Sequence, residues 1–470
     1  MLPTVVCWLF IIYLFWTELN RPDRPSGALW VPLAWMFLAG SRYASSWLHI
    51  GPVQASPEGS PFDAAVFFAL LVAGILVLAR RKIDWQRLLR NNVWITLYFL
   101  YCLASMAWAD DPFVLMKRWI KDLGNPVMAL VILTERCPYE AVGAVLRRLA
   151  FLMLPLSVLF IKYYPELGRD YHVYSGAPMY TGVGHQKNDL GLMCLQAGIY
   201  VSWEVLRRRE KADTAFTWQR KIVIAFLIGM IAWLEYMSNS QTSLTCMIVA
   251  ALLLLLGRTR LAARSPGSFF GVLSGAVLAL WFLDEELHLT ETALSLLGRN
   301  PTLTTRTDIW KIVSEFEVNP IVGVGYMSFW SGERLEELSR RIGVRLNQAH
   351  NGYLEQYLNL GYIGVAFIAV IILSGLLKVR RHLSIDPAAG MLRLTFIVTA
   401  ALYNYTEASF YSLNNMWMLL LLGCLEVPRQ RQPRAVDNSG SKQPVVQGKA
   451  SIRYRRWPPR VQAERSHIPD

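Results

Sequence analysis

Two short stretches of this chain combine residue types suited to group transfer. The first, Gln348-Ala349-His350-Asn351-Gly352-Tyr353-Leu354-Glu355, runs straight into a long apolar segment. Histidine is the usual general base near neutral pH, and His350 stands at the polar edge, where a hydroxyl could arrive from water. Asn347, Asn351, Glu355 and Asn359 recur every four residues. As a helix they form one polar stripe entering the apolar segment, and ionisable groups at such depth face a cavity or a partner. The alternative for His350 is an interfacial residue that caps a helix. The second stretch is Thr305-Arg306-Thr307-Asp308, followed at helical spacing by Ile309, Trp310, Val313 and Phe316. Its capping-box form predicts an amphipathic helix over 306–317. Arg306 then lies in the first turn, where free N–H groups and the helix dipole favour an anion. Its planar fork is suited to phosphate oxygens; a surface ion pair is the other reading.

The elements that must position these residues are membrane helices. Of 470 residues 54% are hydrophobic and only 17% charged, well below the quarter usual in soluble domains. Long, nearly uncharged runs cover 62–79, 93–109, 222–237, 244–256 and 352–377, matching the roughly 20 residues a bilayer core demands. An ordinary cytosolic enzyme is excluded. The net charge of +13 resembles the footprint of nucleic-acid binding, but its distribution does not. The basic residues gather at 80–90, 207–221, 258–264, 378–381 and in the C-terminal tail, alternating with connections that lack them. That is the positive-inside pattern, an orientation signal, and no nucleic-acid partner is expected.

With those clusters placed in the cytoplasm, 93–109 runs outward, 113–133 returns and 149–161 runs out again. The rest follows in alternation to 411–425, with external loops at 162–188 and 284–351. The expected fold is all-α: a polytopic membrane protein of 12 or 13 transmembrane helices with a large helical periplasmic loop, 284–351. The membrane domain covers 1–427, and 428–470, rich in Pro, Gln, Arg and Ser, reads as a disordered basic cytoplasmic tail. The run 2–16 lacks a basic n-region and a small-residue cleavage site, and reads as a retained helix. The six cysteines suggest neither a disulfide framework nor a metal pair, and no metal site is expected.

Loops as long as 284–351 are uncommon unless functional. Leu335, Leu338 and Ile342 mark a second helix in it, and Asn319-Pro320 and Gly323-Val324-Gly325 break the chain between the two.

The series Gly298-Arg299-Asn300, Thr305-Arg306-Thr307-Asp308-Ile309-Trp310, Gly323-Val324-Gly325-Tyr326, Ala349-His350-Asn351-Gly352-Tyr353-Leu354-Glu355 and Gly361-Tyr362-Ile363-Gly364 resembles the O-antigen ligase and polysaccharide polymerase superfamily, nearest its exopolysaccharide-production branch. Lys187-Asn188-Asp189-Leu190-Gly191 and Ser238-Asn239-Ser240-Gln241-Thr242 resemble two further segments of that family, and all occur in the family order. The resemblance implies a glycosyltransferase of the inner membrane. Its donor is a glycan on undecaprenyl diphosphate, its acceptor a glycan or lipid hydroxyl at the periplasmic face, and it needs neither a metal nor another cofactor. It implies His350 as base and Arg306 on the diphosphate. Many members carry arginine where this chain has Gln241, which leaves Lys187 or Arg299 to supply that charge, or a differently held diphosphate. Ligase and polymerase remain open.

Asn351, Glu355, His185 and Asn188 are secondary candidates; His185 reads mainly as a loop-packing residue. Glu407, at the outer end of a predicted span, either lines the site or caps its helix, with capping favoured. Arg118, Lys121 and Asp122 read as a structural charge cluster. The competing function is a transporter of a polar or lipid-linked substrate, in which the stripe below His350 would line the path.

Overall fold

Several helices of this chain begin with a capping side chain followed by proline. The Ser60 hydroxyl accepts the Asp63 N–H, the Asp63 carboxylate accepts the Ser60 N–H, and Pro61 opens the helix. Asp111-Pro112 and Asp386-Pro387 repeat the side-chain cap and the proline, with the aspartate accepting N–H groups of the first turn. The cap satisfies end N–H groups, and proline's missing donor is not needed there.

A computed structural model of the chain describes residues 1–19, 25–50, 60–171, 176–210, 218–265, 267–273, 275, 306–343, 346–411 and 413–428. Arg299, Asp284 to Glu286 and the basic tail lie outside them. The principal helices are α1 (Leu2–Leu19), α2 (Trp30–Gly40), α3 (Pro61–Ala79), α4 (Val93–Ala104), α5 (Pro112–Asp122), α6 (Gly124–Leu133) and α7 (Pro138–Tyr163). They continue with α8 (Lys187–Glu210), α9 (Trp218–Ser238), α10 (Gln241–Leu256), α11 (Arg306–Ser314), α12 (Gly332–Ile342), α13 (Gly352–Leu383), α14 (Pro387–Thr406) and α15 (Asn415–Cys424). Among the described residues the only strands are β1 (Arg169–Tyr171) and β2 (Pro178–Tyr180), a small antiparallel pair between α7 and α8.

This is an all-α polytopic membrane protein. Among the described residues, α3, α7, α9 and α13 are long and apolar enough to cross a bilayer, and five shorter apolar helices accompany them. The expected 12 or 13 passages are more than these helices supply on length and apolarity alone. The run 113–133 is two helices, α5 and α6, meeting at Leu123, and most of 269–283 lies outside the described residues. Burial separates the long helices by position. The most apolar window of α7 is 89% buried, whereas those of α3 and α13 are 28% and 33% buried. α7 is therefore the centre of the bundle, enclosed by α1, α2, α6, α8 and α9, and α14 packs on α10, α13 and α15.

Between α11 and α12 the chain enters the bundle. α13, expected as one continuous span, breaks at Gly361, whose backbone is at φ 65°, ψ −165°. Residues 320–325 fill the break: Tyr362 N–H donates to Pro320 O at 2.8 Å, Ile363 N–H to Ile321 O at 3.3 Å, Val324 N–H to Leu358 O at 3.2 Å and Gly325 N–H to Asn359 O at 2.9 Å. The Tyr101 hydroxyl donates to Leu360 O at 3.1 Å. A helix interrupted at membrane depth is tolerated only when protein partners satisfy its freed backbone groups, and the loop supplies them. Tyr326 then anchors the segment: it is buried, with its hydroxyl on the Asp122 carboxylate at 2.5 Å and its N–H on Ser105 Oγ at 2.9 Å. Arg118 donates to the Met327 carbonyl. Arg118 and Asp122 thus have the structural role expected of them, with the loop as their partner.

The helices of the loop form a cap with a small core of its own, Ile309, Val313, Phe329 and Leu338, seated on Leu358 of α13. α11 ends at Ser314 rather than Glu317, because single turns at Glu315 and Phe316 lead out of it toward Asn319-Pro320.

Candidate active site

His350 lies in the turn that enters α13. Its backbone is left-handed, at φ 53°, a region that histidine enters more readily than most residues. The flanking groups hold this turn. The Ala349 N–H donates to Glu355 Oε1 at 2.5 Å, and the Ala349 carbonyl accepts Trp310 Nε1 from α11 at 2.8 Å. The Asn351 side chain accepts the Tyr353 and Leu354 N–H groups, both at 3.0 Å, as the N-cap of α13. The Gly352 N–H donates to the Glu407 carbonyl at 3.0 Å. Asn351→Ala is expected to lower stability by about 1 kcal/mol through loss of that cap, while Asn351→Asp keeps it. Thermal unfolding of the two purified variants checks this.

The side chains converge on Glu407. Its carboxylate is 5% exposed and receives Arg306 Nη2 at 2.5 Å on Oε1 and His350 Nδ1 at 3.2 Å on Oε2. Asn188 Nδ2 from the start of α8 donates to Oε1 at 2.7 Å. Arg306 also donates to the carbonyl of Thr406. An ionised carboxylate only accepts, so the proton on this edge of the imidazole belongs to Nδ1, and Nε2 is the nitrogen left to act as acceptor. Glu407 does follow the last residue of α14. It caps that helix as favoured from sequence, its N–H donating to the Tyr403 carbonyl at 3.0 Å, and its carboxylate in addition gathers Arg306, His350 and Asn188.

Arg306 sits at the first residue of α11 as expected, yet its ion pair is internal, with the guanidinium 16% exposed. Lys187, next to Asn188, is half-buried and makes no hydrogen bond or ion pair among the described residues. Gln241 is exposed in the first turn of α10, and its neighbour Thr242 shares a 2.7 Å hydrogen bond with Thr406. Both segments therefore reach the same place through Thr406-Glu407. His185 packs its exposed ring against Tyr43, with ring centres 4.9 Å apart, and the turn there is tied by Asp189 Oδ2 to the N–H groups of His185 and Gln186. Glu355 makes no hydrogen bond to Glu407 or Arg306 among the described residues: both its oxygens take Trp330 Nε1 at 2.9 Å, Asn359 Nδ2 lies at 3.3 Å, and its charge bears on His350 from the Ala349 side.

Residues 224–369 match the O-antigen ligase family. The exopolysaccharide production protein ExoQ of Rhizobium meliloti (strain 1021) is 25% identical over 379 residues, covering 74% of this chain and 81% of that protein. The chain is similar to O-antigen ligases, on their exopolysaccharide-production side. The resemblance expected from the motifs is borne out. The O-antigen ligase match contains Gln241, Arg306, His350, Asn351 and Glu355, and stops before Glu407. The residue at the centre of the cluster thus lies outside the motifs that carry the resemblance. Its only signal in sequence was an acidic side chain at the outer edge of an apolar run.

Proposed function

We propose that this chain transfers a glycan from an undecaprenyl-diphosphate carrier to an acceptor hydroxyl at the periplasmic face of the inner membrane, without a metal. The O-antigen ligase match supports a membrane enzyme of glycan transfer. The observation that carries the finer reading is the meeting of His350, Glu407 and Arg306 in one partly exposed cluster at the polar end of α13.

The reaction needs a base for the acceptor proton and positive charge for the leaving diphosphate. His350 Nε2 takes the hydroxyl proton as the acceptor oxygen bonds to the anomeric carbon. The bond from that carbon to the diphosphate oxygen breaks, and the electron pair leaves with the diphosphate. Arg306, with Lys187 or Arg299, meets that charge. One in-line displacement inverts the anomeric configuration. The transporter reading loses its main support, because Glu355 and Asn359 of the stripe are bonded to Trp330 and the Phe329 N–H rather than aligned along a path.

Purified protein in proteoliposomes, given an undecaprenyl-diphosphate oligosaccharide and an acceptor, is expected to yield a longer or transferred glycan with no added metal. Substrate that is only moved across the bilayer, chemically unchanged, would reject the proposal. Separate trials with a second carrier-linked repeat and with a lipid acceptor distinguish polymerase from ligase.

A further inference from the structure

Arg306, the guanidinium assigned above to the donor diphosphate, already has two partners. Nη2 lies 2.5 Å from Glu407 Oε1, and Nη1 donates to the Thr406 carbonyl. The same carboxylate holds His350 Nδ1 through its other oxygen. The two groups with separate tasks in the transfer are therefore joined through one buried acid. The Nη1 and Nη2 fork of Arg306 is thus filled by one carbonyl and one carboxylate oxygen, and it is this fork that binds a phosphate group bidentately. A diphosphate that takes that fork must remove it from Glu407.

We propose that Glu407 is a shared latch: donor diphosphate draws Arg306 off Glu407, and the freed carboxylate then serves His350, so that the base is armed only when donor is in place. The inference rests on the transferase reading above. A buried carboxylate cannot be left without compensation. After Arg306 departs, its remaining contacts are Asn188 Nδ2 at 2.7 Å and His350 Nδ1 at 3.2 Å. The carboxylate charge facing the Nδ1 proton then stabilises the imidazolium that forms as Nε2 accepts the acceptor proton. This is the usual service of a carboxylate to a catalytic histidine. The other ionisable groups around the turn leave Glu407 in this position: Glu355 is occupied by Trp330 and Ala349, Asp189 by its own turn, and Lys187 makes no ion pair among the described residues. Glu407 acts on the reaction through other residues and is a positioning residue. Donor binds before acceptor, and water meeting the site without donor finds an unarmed base.

The arrangement gives Glu407→Gln a signature with two opposite signs. Removing the competing charge frees Arg306, so undecaprenyl diphosphate is expected to bind about tenfold tighter. Removing the partner of Nδ1 weakens the base, so kcat for transfer falls about tenfold or more. A merely structural role would weaken both. The measurement is the affinity of purified full-length protein in detergent for undecaprenyl diphosphate, with kcat from the reconstituted transfer assay. Binding that is unchanged or weaker in a monodisperse Glu407→Gln overturns the latch while leaving the transferase reading intact. Failure of the wild-type protein to bind undecaprenyl diphosphate removes both. Should Glu407→Gln not fold, Glu407→Asp, one methylene short of Arg306, is expected to tighten donor binding by a smaller factor while keeping part of kcat. Unchanged binding there likewise overturns the latch.

Discussion

His350→Ala is expected to reduce glycan transfer by about a thousandfold while leaving the helical bundle assembled. Among the described residues the imidazole makes one side-chain hydrogen bond, to Glu407, and the side chain is 20% exposed. The turn around it does not depend on that contact. Ala349 is held by Glu355 and Trp310, Asn351 caps α13, and the Gly352 N–H reaches the Glu407 carbonyl. Glu407 keeps Arg306 and Asn188 when the ring is gone, so no buried carboxylate is stranded. The local cost is the left-handed backbone with an alanine side chain, about 1 kcal/mol. Transfer of a carrier-linked oligosaccharide by purified protein, measured beside its melting temperature, decides the matter. A variant that melts like wild type and still transfers at the wild-type rate would remove His350 as the base.

Gly361→Ala is expected to leave little folded protein. A Cβ at this position would lie 2.2 Å from the carbonyl carbon and oxygen of Ile321 and 2.5 Å from the Val322 nitrogen. These are backbone atoms and cannot rotate aside. The dihedrals, φ 65° and ψ −165°, belong to a region essentially reserved for glycine, with strain of about 1 to 3 kcal/mol for any other residue. Relief by separation would forfeit the pairing of 320–325 with α13, at about 1 kcal/mol net for each hydrogen bond. The yield of monodisperse protein after extraction and its unfolding temperature provide the readout. Gly229→Ala, with nothing within 4 Å of the added carbon, is the matched control and should be neutral or slightly stabilising. Equal yields from the two variants would contradict the described pairing.

Much of the helical layout could be read from apolar runs: 62–79 appears as Pro61–Ala79, 222–237 as Trp218–Ser238 and 244–256 as Gln241–Leu256. Hydropathy marks such stretches because the side chains that avoid water also set their length. It does not mark whether the backbone stays helical throughout. The run 411–425 becomes a helix only from Asn415, and the run containing Gly361 hides its break, since the apolar residues continue on both sides. His350 and Arg306 could be singled out through local spacing and side-chain chemistry. Their meeting could not, because the acid that joins them lies 57 residues beyond His350 and 101 beyond Arg306. Glu407 is the cap its place at a helix end suggests, but the second task of its side chain becomes visible only once the elements opposite it are in place.

The filled break in α13 has a consequence for chimaeras. Domain exchange usually cuts at loop ends, and here the obvious cuts would fall near Arg306 and His350. Such a graft would bring a foreign 320–325 against a native 358–363, two pieces of backbone whose glycines meet each other's main chain: Gly323 lies against Asn359 and Gly361 against Ile321. The smallest portable unit therefore runs from the start of α11 through Ile363 and takes the first turns of a membrane helix with it. The cap cannot be transplanted as a detachable loop, because part of the scaffold that carries it is made by the loop itself.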